Sequence, residues 1–195
     1  MIAAITHREG RASRRALSML LPVLLCLAGL ALMLHGAIIP AKARIAQILL
    51  TRAFDHSLAA GQPVKPWSWA DTAPVARVSV PRLGISEIVL SGGSGQAMAF
   101  GPTLLPGPHH VSVMAAHRDT HFAFLEHVRP GDDVHVQTID GQTAHYRITR
   151  SQVVRWDGFA RPSAPARPLL ALTTCYPFGA TQRGPLRYVL WAEQV

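Results

Sequence analysis

The feature that most constrains this chain is an uninterrupted apolar run near its amino terminus. Residues 16–39 contain no Asp, Glu, Lys or Arg in 24 positions. Wound as an α-helix, the run is roughly 36 Å long, which exceeds the roughly 30 Å of a bilayer's hydrocarbon core. We therefore predict a single transmembrane helix over 16–39, preceded by a short basic tail at 1–15.

A cleaved signal peptide is the alternative interpretation of this region. Arg14 and Arg15 supply a basic start, and the Ala-Lys-Ala triplet at 41–43 fits a small-x-small cleavage site. The apolar core of a signal peptide has only about 7 to 15 residues. This run is longer, and a further apolar stretch at 45–50 follows the triplet. The length favours a retained anchor.

The basic charge of the chain is concentrated around the apolar run. Residues 1–53 contribute +6 of the formal net charge of +8, and the rest of the chain carries twelve basic side chains against ten acidic ones. Counterion-release binding to nucleic acid requires a continuous basic face, so this near-neutral remainder argues against it. The slight excess of Lys and Arg before the run favours a cytoplasmic amino terminus and places residues 53–195 outside the cytoplasm.

Beyond the apolar run, the sequence is typical of a β-rich domain. Residues 55–72 show no clean period, and we assign 40–72 as a connector and 73–195 as the folded domain. The predicted strands are 75–80, 85–91, 111–116, 133–139, 143–154, 169–175 and 186–192. Short strands at this spacing, separated by Gly- and Pro-rich turns, favour a closed barrel or a sandwich. Two segments, 96–100 and 120–128, are predicted to be short helices.

The two cysteines lie in different environments. Cys26 lies in the apolar run and Cys175 ends a predicted strand, so Cys175 is a lone thiol in a compartment that permits disulfides. A buried Cys that serves as a small apolar side chain is the plain alternative. A nucleophilic role requires a neighbouring base or positive charge, because a thiol with a pKa of about 8.5 is mostly protonated at neutral pH.

Candidate partners for this thiol also lie at strand ends. His117 follows the predicted strand 111–116, and Arg187 begins the last one. Arg183, in the preceding loop, is an alternative to Arg187, and a surface position is the plain alternative for each. A fixed donor aimed at the oxyanion of an acyl transfer is worth about 3 to 4 kcal/mol. Zinc binding by His117 and His121 has i, i+4 spacing but lacks the Glu of a zinc-hydrolase helix.

At these residues the chain resembles the sortase family. The family signature is Thr-Leu-x-Thr-Cys at the end of a strand, a His well upstream, and an Arg at the start of the next strand. Residues 172–175 read Leu-Thr-Thr-Cys, with Ala171 in place of the first Thr, and His117 precedes Cys175 by 58 positions. Arg187 stands where the family's Arg is expected. The resemblance covers about residues 70–195, and 117–122 look most like the sortases of Gram-negative bacteria.

The resemblance implies an all-β fold, a closed eight-stranded barrel with one or two short helices, behind a single membrane anchor. It also implies a cysteine transpeptidase. In that scheme Cys175 attacks a backbone carbonyl in a C-terminal sorting signal, in many relatives the Thr-Gly bond of an LPxTG-like motif. His117 then serves as acid and base, and Arg187 hydrogen-bonds substrate or oxyanion. Thr174 is an additional candidate for placing the substrate.

The implied partners are a secreted protein with a C-terminal sorting signal, an amine acceptor and the inner membrane, with the catalytic domain in the periplasm. No cofactor and no metal are expected, since the sequence has no acidic loop with the spacing of a known calcium site. Two alternatives stay open: a cysteine peptidase that hydrolyses the same bond, and an anchored binding or thiol-redox module. The absence of a CxxC pair weakens the redox alternative.

Overall fold

The computed structural model describes residues 6–107, 110–182 and 184–195. Arg183, the alternative arginine candidate, lies outside the described residues. The chain divides into two compact units, Met1–Ile45 and Ala46–Val195. All of the described β-structure belongs to the second unit.

One long α-helix, α1, spans Thr6–Ala60. It contains the whole apolar run of 16–39. Within the described part of the chain, its portion Leu20–Ala60 is the one helix long and apolar enough to cross a membrane. The length and composition of this helix are compatible with the predicted anchor.

In the second unit, the last part of α1 packs against the barrel. The helix thus continues through the first part of the predicted connector 40–72. The side chains that it directs towards the barrel recur at helical spacing. The buried residues of this helical face are Ala46, Leu50, Ala53, Phe54 and Ser57. Leu50 and Phe54 form one apolar cluster with Ile88 and Leu90. Gly61, at φ +63°, directly follows the helix in the left-handed conformation that commonly ends helices.

Eight strands follow and close into one barrel. They are β1 Pro74–Val80, β2 Ile85–Leu90, β3 Thr103–Leu105, β4 Val111–Ala115, β5 Asp133–Thr138, β6 Thr143–Arg155, β7 Leu169–Tyr176 and β8 Leu186–Gln194. Their order around the barrel is β1-β2-β3-β4-β7-β8-β6-β5. The pairs β2/β3 and β4/β7 are parallel, and the other neighbouring pairs are antiparallel. The predicted closed eight-stranded barrel is confirmed, and the sandwich alternative is excluded.

Strand β3 is the one strand that the sequence did not reveal. Its three residues lie between Pro102 and Pro106, in a segment predicted to be a turn. Three residues are too few to show an alternating pattern, and β3 exists because β4 and one residue of β2 pair with it. The two predicted short helices correspond to 3-10 helices at Ala97–Ala99 and Ala123–His127, and a third 3-10 helix spans Pro81–Leu83.

The core has an inner and an outer layer around strand β7. Alternate side chains of the strands fill the barrel interior, among them Leu170 and Leu172 of β7. The opposite face of β7 packs in a separate cluster in which Ala171 contacts Val113 and Trp191. Because both faces are covered, β7 reads in sequence as a continuous apolar run rather than an alternating one. This burial holds β7 rigidly up to the point where the strand becomes partly exposed.

We expect the ion pair between Arg82 and Asp132 to make the stability of the barrel depend on acid pH. Arg82 donates from Nε and Nη2 to the two carboxylate oxygens at 2.5 and 2.7 Å, and the Arg129 N–H donates to Oδ2 at 2.8 Å. The bonds from Arg82, and secondarily that from Arg129, hold the pKa of Asp132 below its ordinary value. The stabilisation is therefore present above the unfolded pKa of about 3.9 and is lost as the pH falls through the folded pKa.

Thermal unfolding of the full chain in detergent, from about pH 6 to about pH 3, measures this effect. The melting temperature of Asp132→Asn should lie below that of the wild type at the upper pH, and the gap should shrink as the pH falls. Asp157→Asn is the control, because Asp157 pairs with Arg155 on the surface and should track the wild type. A gap that stays constant over this range would contradict the prediction.

Candidate active site

The three candidate residues lie on three neighbouring strands. His117 follows β4, Cys175 lies near the end of β7, and Arg187 lies near the start of β8. In the barrel order, β7 lies between β4 and β8. Cys175 and Arg187 are direct cross-strand partners, and such partners have their Cβ atoms about 4.5 to 5.5 Å apart. The parallel pairing of β4 with β7 sets Ala115, two residues before His117, opposite Thr173.

The same three residues line one open groove of about 700 Å³. Cys175 is half-buried, so its thiol is accessible, and His117 is exposed. Apolar side chains also contribute to the lining of the groove, among them Leu105, Val113, Trp156 and Phe159. The groove therefore combines a reachable thiol, an imidazole and a guanidinium with an apolar surface.

Thr173, Thr174 and Cys175 of β7 all contribute to the lining of the groove. The side chains of Thr173 and Cys175 lie on the same face as Ala171, whereas that of Thr174 points to the opposite face and is only 3% exposed. The Thr174 hydroxyl donates to the Ala116 carbonyl at 2.8 Å, and the Ala116 N–H donates to the Thr173 carbonyl at 3.3 Å. Thr174 thus connects the strand that carries the thiol to the peptide group next to His117.

Arg187 is held by the backbone of its own loop. Its Nη1 donates to the carbonyls of Gly184 and Leu186 at 3.1 and 2.8 Å. Its Nε and Nη2 make no hydrogen bond to the described residues. These donors are free to reach an oxygen of a bound ligand, and the side chain is half-buried rather than fully solvated.

The residues after His117 form an ion pair that sequence reasoning did not single out as functional. Arg118 is 8% exposed and donates from Nε and Nη2 to the two oxygens of Asp119 at 2.8 and 3.1 Å. These bonds hold the pKa of Asp119 below its ordinary value and raise the pKa of Arg118. Sequence reasoning did not select Arg118, because charged residues in a predicted turn are usually solvated. Its position directly after His117 and before Asp119 was the only sequence signal for this ion pair.

The structure separates the two histidines of the zinc alternative. His117 lines the groove, whereas His121 lines a different cavity and its Nδ1 lies 2.8 Å from Oε2 of Glu87. In the part of the chain that the structure describes, no three His, Cys, Asp or Glu residues are grouped so as to hold a metal ion. Cys26 and Cys175 are both free thiols.

Comparisons with known proteins agree with this fold. Residues 78–195, more than half of the chain, match the family model of the sortase domain, so the protein belongs to the sortase family. It is accordingly an enzyme of the cysteine transpeptidase class. No curated protein sequence matches the chain significantly.

Solved sortase structures are similar to this one. Sortase C-1 from Actinomyces oris is 28% identical, with a TM-score of 0.53 over 63% of this chain and 74% of that chain. The pilus-related sortase C of Group B Streptococcus is 24% identical, with a TM-score of 0.53 over 63% of this chain and 67% of that one. Sortase A from Corynebacterium diphtheriae is 20% identical, with a TM-score of 0.55 over 65% and 63%. At these lower identities the likeness concerns the fold.

We expect Thr174 to contribute to stability through its bond to the Ala116 carbonyl. Thr174→Val keeps the shape but removes the buried donor, so the free energy of unfolding should fall by about 1 to 3 kcal/mol, whereas Thr174→Ser should retain most of it. Denaturant unfolding of the full chain in detergent measures the change. Thr149→Val is the control, because the exposed Thr149 hydroxyl donates to a carbonyl at the longer distance of 3.2 Å. Equal stability of Thr174→Val and wild type would refute this role.

Proposed function

We propose that this protein is a membrane-anchored sortase that cleaves a C-terminal sorting signal and transfers the protein to an amine. The observation that carries the proposal is the cross-strand pairing of Cys175 with Arg187, with His117 lining the same groove from the neighbouring strand. An accessible thiol beside an imidazole and a guanidinium is the set of groups that acyl transfer through a thioester requires.

In the first half-reaction, the Cys175 thiolate attacks the carbonyl carbon of the scissile peptide bond. A carbon–sulfur bond forms, and the carbonyl oxygen becomes an oxyanion that accepts hydrogen bonds from Nε or Nη2 of Arg187. When this intermediate collapses, the carbon–nitrogen bond breaks and the leaving amine takes a proton from His117. The product is a thioester on Cys175.

The second half-reaction reverses these roles with a different amine. The acceptor nitrogen attacks the thioester carbonyl and passes a proton to His117, which now acts as a base. A new carbon–nitrogen bond forms and the thiolate of Cys175 leaves. The resting state of the three side chains is restored, so the cycle requires no cofactor.

The groove supports a peptide substrate with an extended, largely apolar segment ahead of the scissile bond. Leu105, Val113, Trp156 and Phe159 supply the apolar contacts, and Thr173 and Cys175 lie on the same outward face of β7. An LPxTG-like motif, cleaved between its Thr and Gly, has this character. Thr174 takes part indirectly, through its bond next to His117.

The amino-terminal helix supports an inner-membrane location. In this proposal residues 1–15 are cytoplasmic, 16–39 span the membrane, 40–72 connect, and 73–195 form the catalytic domain on the periplasmic side. The basic flank before the span supports this orientation. The motif at 117–122 supports placement with the sortases of Gram-negative bacteria.

An assay with an added amine acceptor distinguishes transfer from hydrolysis. When the full chain in detergent is incubated with an LPxTG-like peptide and a primary amine such as a short glycine peptide, mass spectrometry should detect the ligated product. The ligated fraction should rise with amine concentration, because amine and water compete for one thioester. Hydrolysis that is independent of the amine would favour the cysteine peptidase instead.

Substitution tests the assignment of the three side chains. Cys175→Ala should abolish product formation, whereas Cys26→Ala, which removes the other thiol, should leave the rate unchanged. Arg187→Lys should lower kcat/KM by roughly a hundredfold, because an ammonium cannot reproduce the guanidinium fork. Arg147→Lys is its control, since Arg147 is exposed and pairs with Asp133 on the surface. Turnover by Cys175→Ala would overturn the nucleophile, and unchanged turnover by Arg187→Lys would move the donor elsewhere.

A further inference from the structure

We propose that Arg118 is a positioning residue of the reaction, which holds the loop between Cys175 and Arg187 against the turn that carries His117. The inference rests on the proposed function, because the reaction it serves is the one described above. Arg118 lines the same groove as His117, Cys175 and Arg187, and the role assigned to it is to position these three side chains rather than to take part in the chemistry.

The hydrogen bonds of Arg118 join two separate segments of the site. Its Nε and Nη2 bind the Asp119 carboxylate on its own side. Its Nη1 donates to the Pro177 carbonyl at 2.6 Å, and its Nη2 also donates to the Ala180 carbonyl. Arg118 directly follows His117, Pro177 comes two residues after Cys175, and the same loop leads into β8 and Arg187. One guanidinium therefore connects the turn that carries His117 to the loop that follows Cys175.

The number of donors already used distinguishes Arg118 from a substrate-binding arginine. A guanidinium has five N–H groups, and four of those on Arg118 are directed at Asp119, Pro177 and Ala180. The side chain is also only 8% exposed. Arg187, by contrast, donates only from Nη1 to the described residues. Arg118 is thus suited to hold the loop, and Arg187 to meet the ligand.

Asp119 orients the guanidinium of Arg118 and balances its positive charge. A bidentate carboxylate fixes the plane of the guanidinium, so that Nη1 and Nη2 face the loop carbonyls. The carboxylate itself is largely exposed, with 67% of its side chain accessible, and it places a negative charge next to the buried cation. A lysine has a single point charge and no planar fork, so it cannot bind Asp119 bidentately while donating to both carbonyls.

The chain offers a matched control for this arrangement. Arg82 also forks a carboxylate, that of Asp132, and its Nη2 also donates to a backbone carbonyl, that of His127 at 2.7 Å. Arg82 does not line the groove. The Arg82 side chain is more exposed than that of Arg118, at 44% against 8%, and Arg82→Lys reports what the loss of a carboxylate fork costs the fold away from the groove.

The test compares Arg118→Lys, Arg82→Lys and wild type as full chains in detergent, with an LPxTG-like peptide and an amine acceptor. For Arg118→Lys we expect kcat to fall by about tenfold or more while KM changes by less than about threefold, because the reacting groups are misplaced although the apolar part of the groove is intact. The assay temperature lies below the melting temperatures of all three proteins, so the kcat of Arg82→Lys should equal that of the wild type. Hydrogen exchange of residues 177–182 should be faster in Arg118→Lys alone.

A second variant keeps the inference testable if Arg118→Lys folds poorly. Asp119→Asn preserves one acceptor oxygen for Arg118, so it should show a smaller loss of kcat in the same direction. Wild-type kcat in both variants, or a loss that merely follows the melting temperature as in Arg82→Lys, would overturn the inference. If the wild type itself neither cleaves nor transfers the peptide, the proposed function fails. In that case hydrogen exchange at 177–182 still tests whether Arg118 holds this loop. Faster exchange in Arg118→Lys supports that role, and unchanged exchange overturns it.

Discussion

The pairing of β7 with its two neighbours is the constraint on which the rest of the site depends. Backbone hydrogen bonds fix β7 parallel to β4 on one side and antiparallel to β8 on the other. This register sets Cys175 opposite Arg187 and brings the end of β4, and so His117, to the same edge. A shift of one residue in either pairing would turn Cys175 to the opposite face of the sheet. The geometry of the candidate site is therefore a consequence of strand register.

Burial explains why this register is stable at the site. The first half of β7 is covered on both faces, by the barrel interior and by the outer cluster around Trp191. The strand becomes partly exposed only from Thr173 onward, where Thr174 still binds the Ala116 carbonyl. The end of β7 that carries Cys175 is thus held by a rigid strand and yet open to the groove, which is the combination that the proposed acyl transfer requires.

Local patterns predicted most of the fold and the three candidate side chains, and what they missed depends on long-range contacts. Seven strands show composition and turn signals within their own residues, whereas β3 has only three residues and is defined by its partners. The inward face of α1 beyond residue 45 is visible as spacing, but its burial requires the barrel. Arg118 looked like a solvated turn residue because its acceptors, Pro177 and Ala180, lie about sixty positions away.

The amino-acid sequence by itself determined that a long uncharged helix precedes a β-rich domain, and that Cys175, His117 and Arg187 each stand at a strand end. These are properties of neighbouring residues, and periodicity and composition express them directly. Only the tertiary structure decided the order β4-β7-β8, the face of the sheet on which the thiol lies, and the hydrogen bonds from Arg118 to the loop after Cys175. The physical reason is that strand pairing, and the hydrogen bonds from Arg118 to the Pro177 and Ala180 carbonyls, join residues far apart in the chain, so that no local pattern records them.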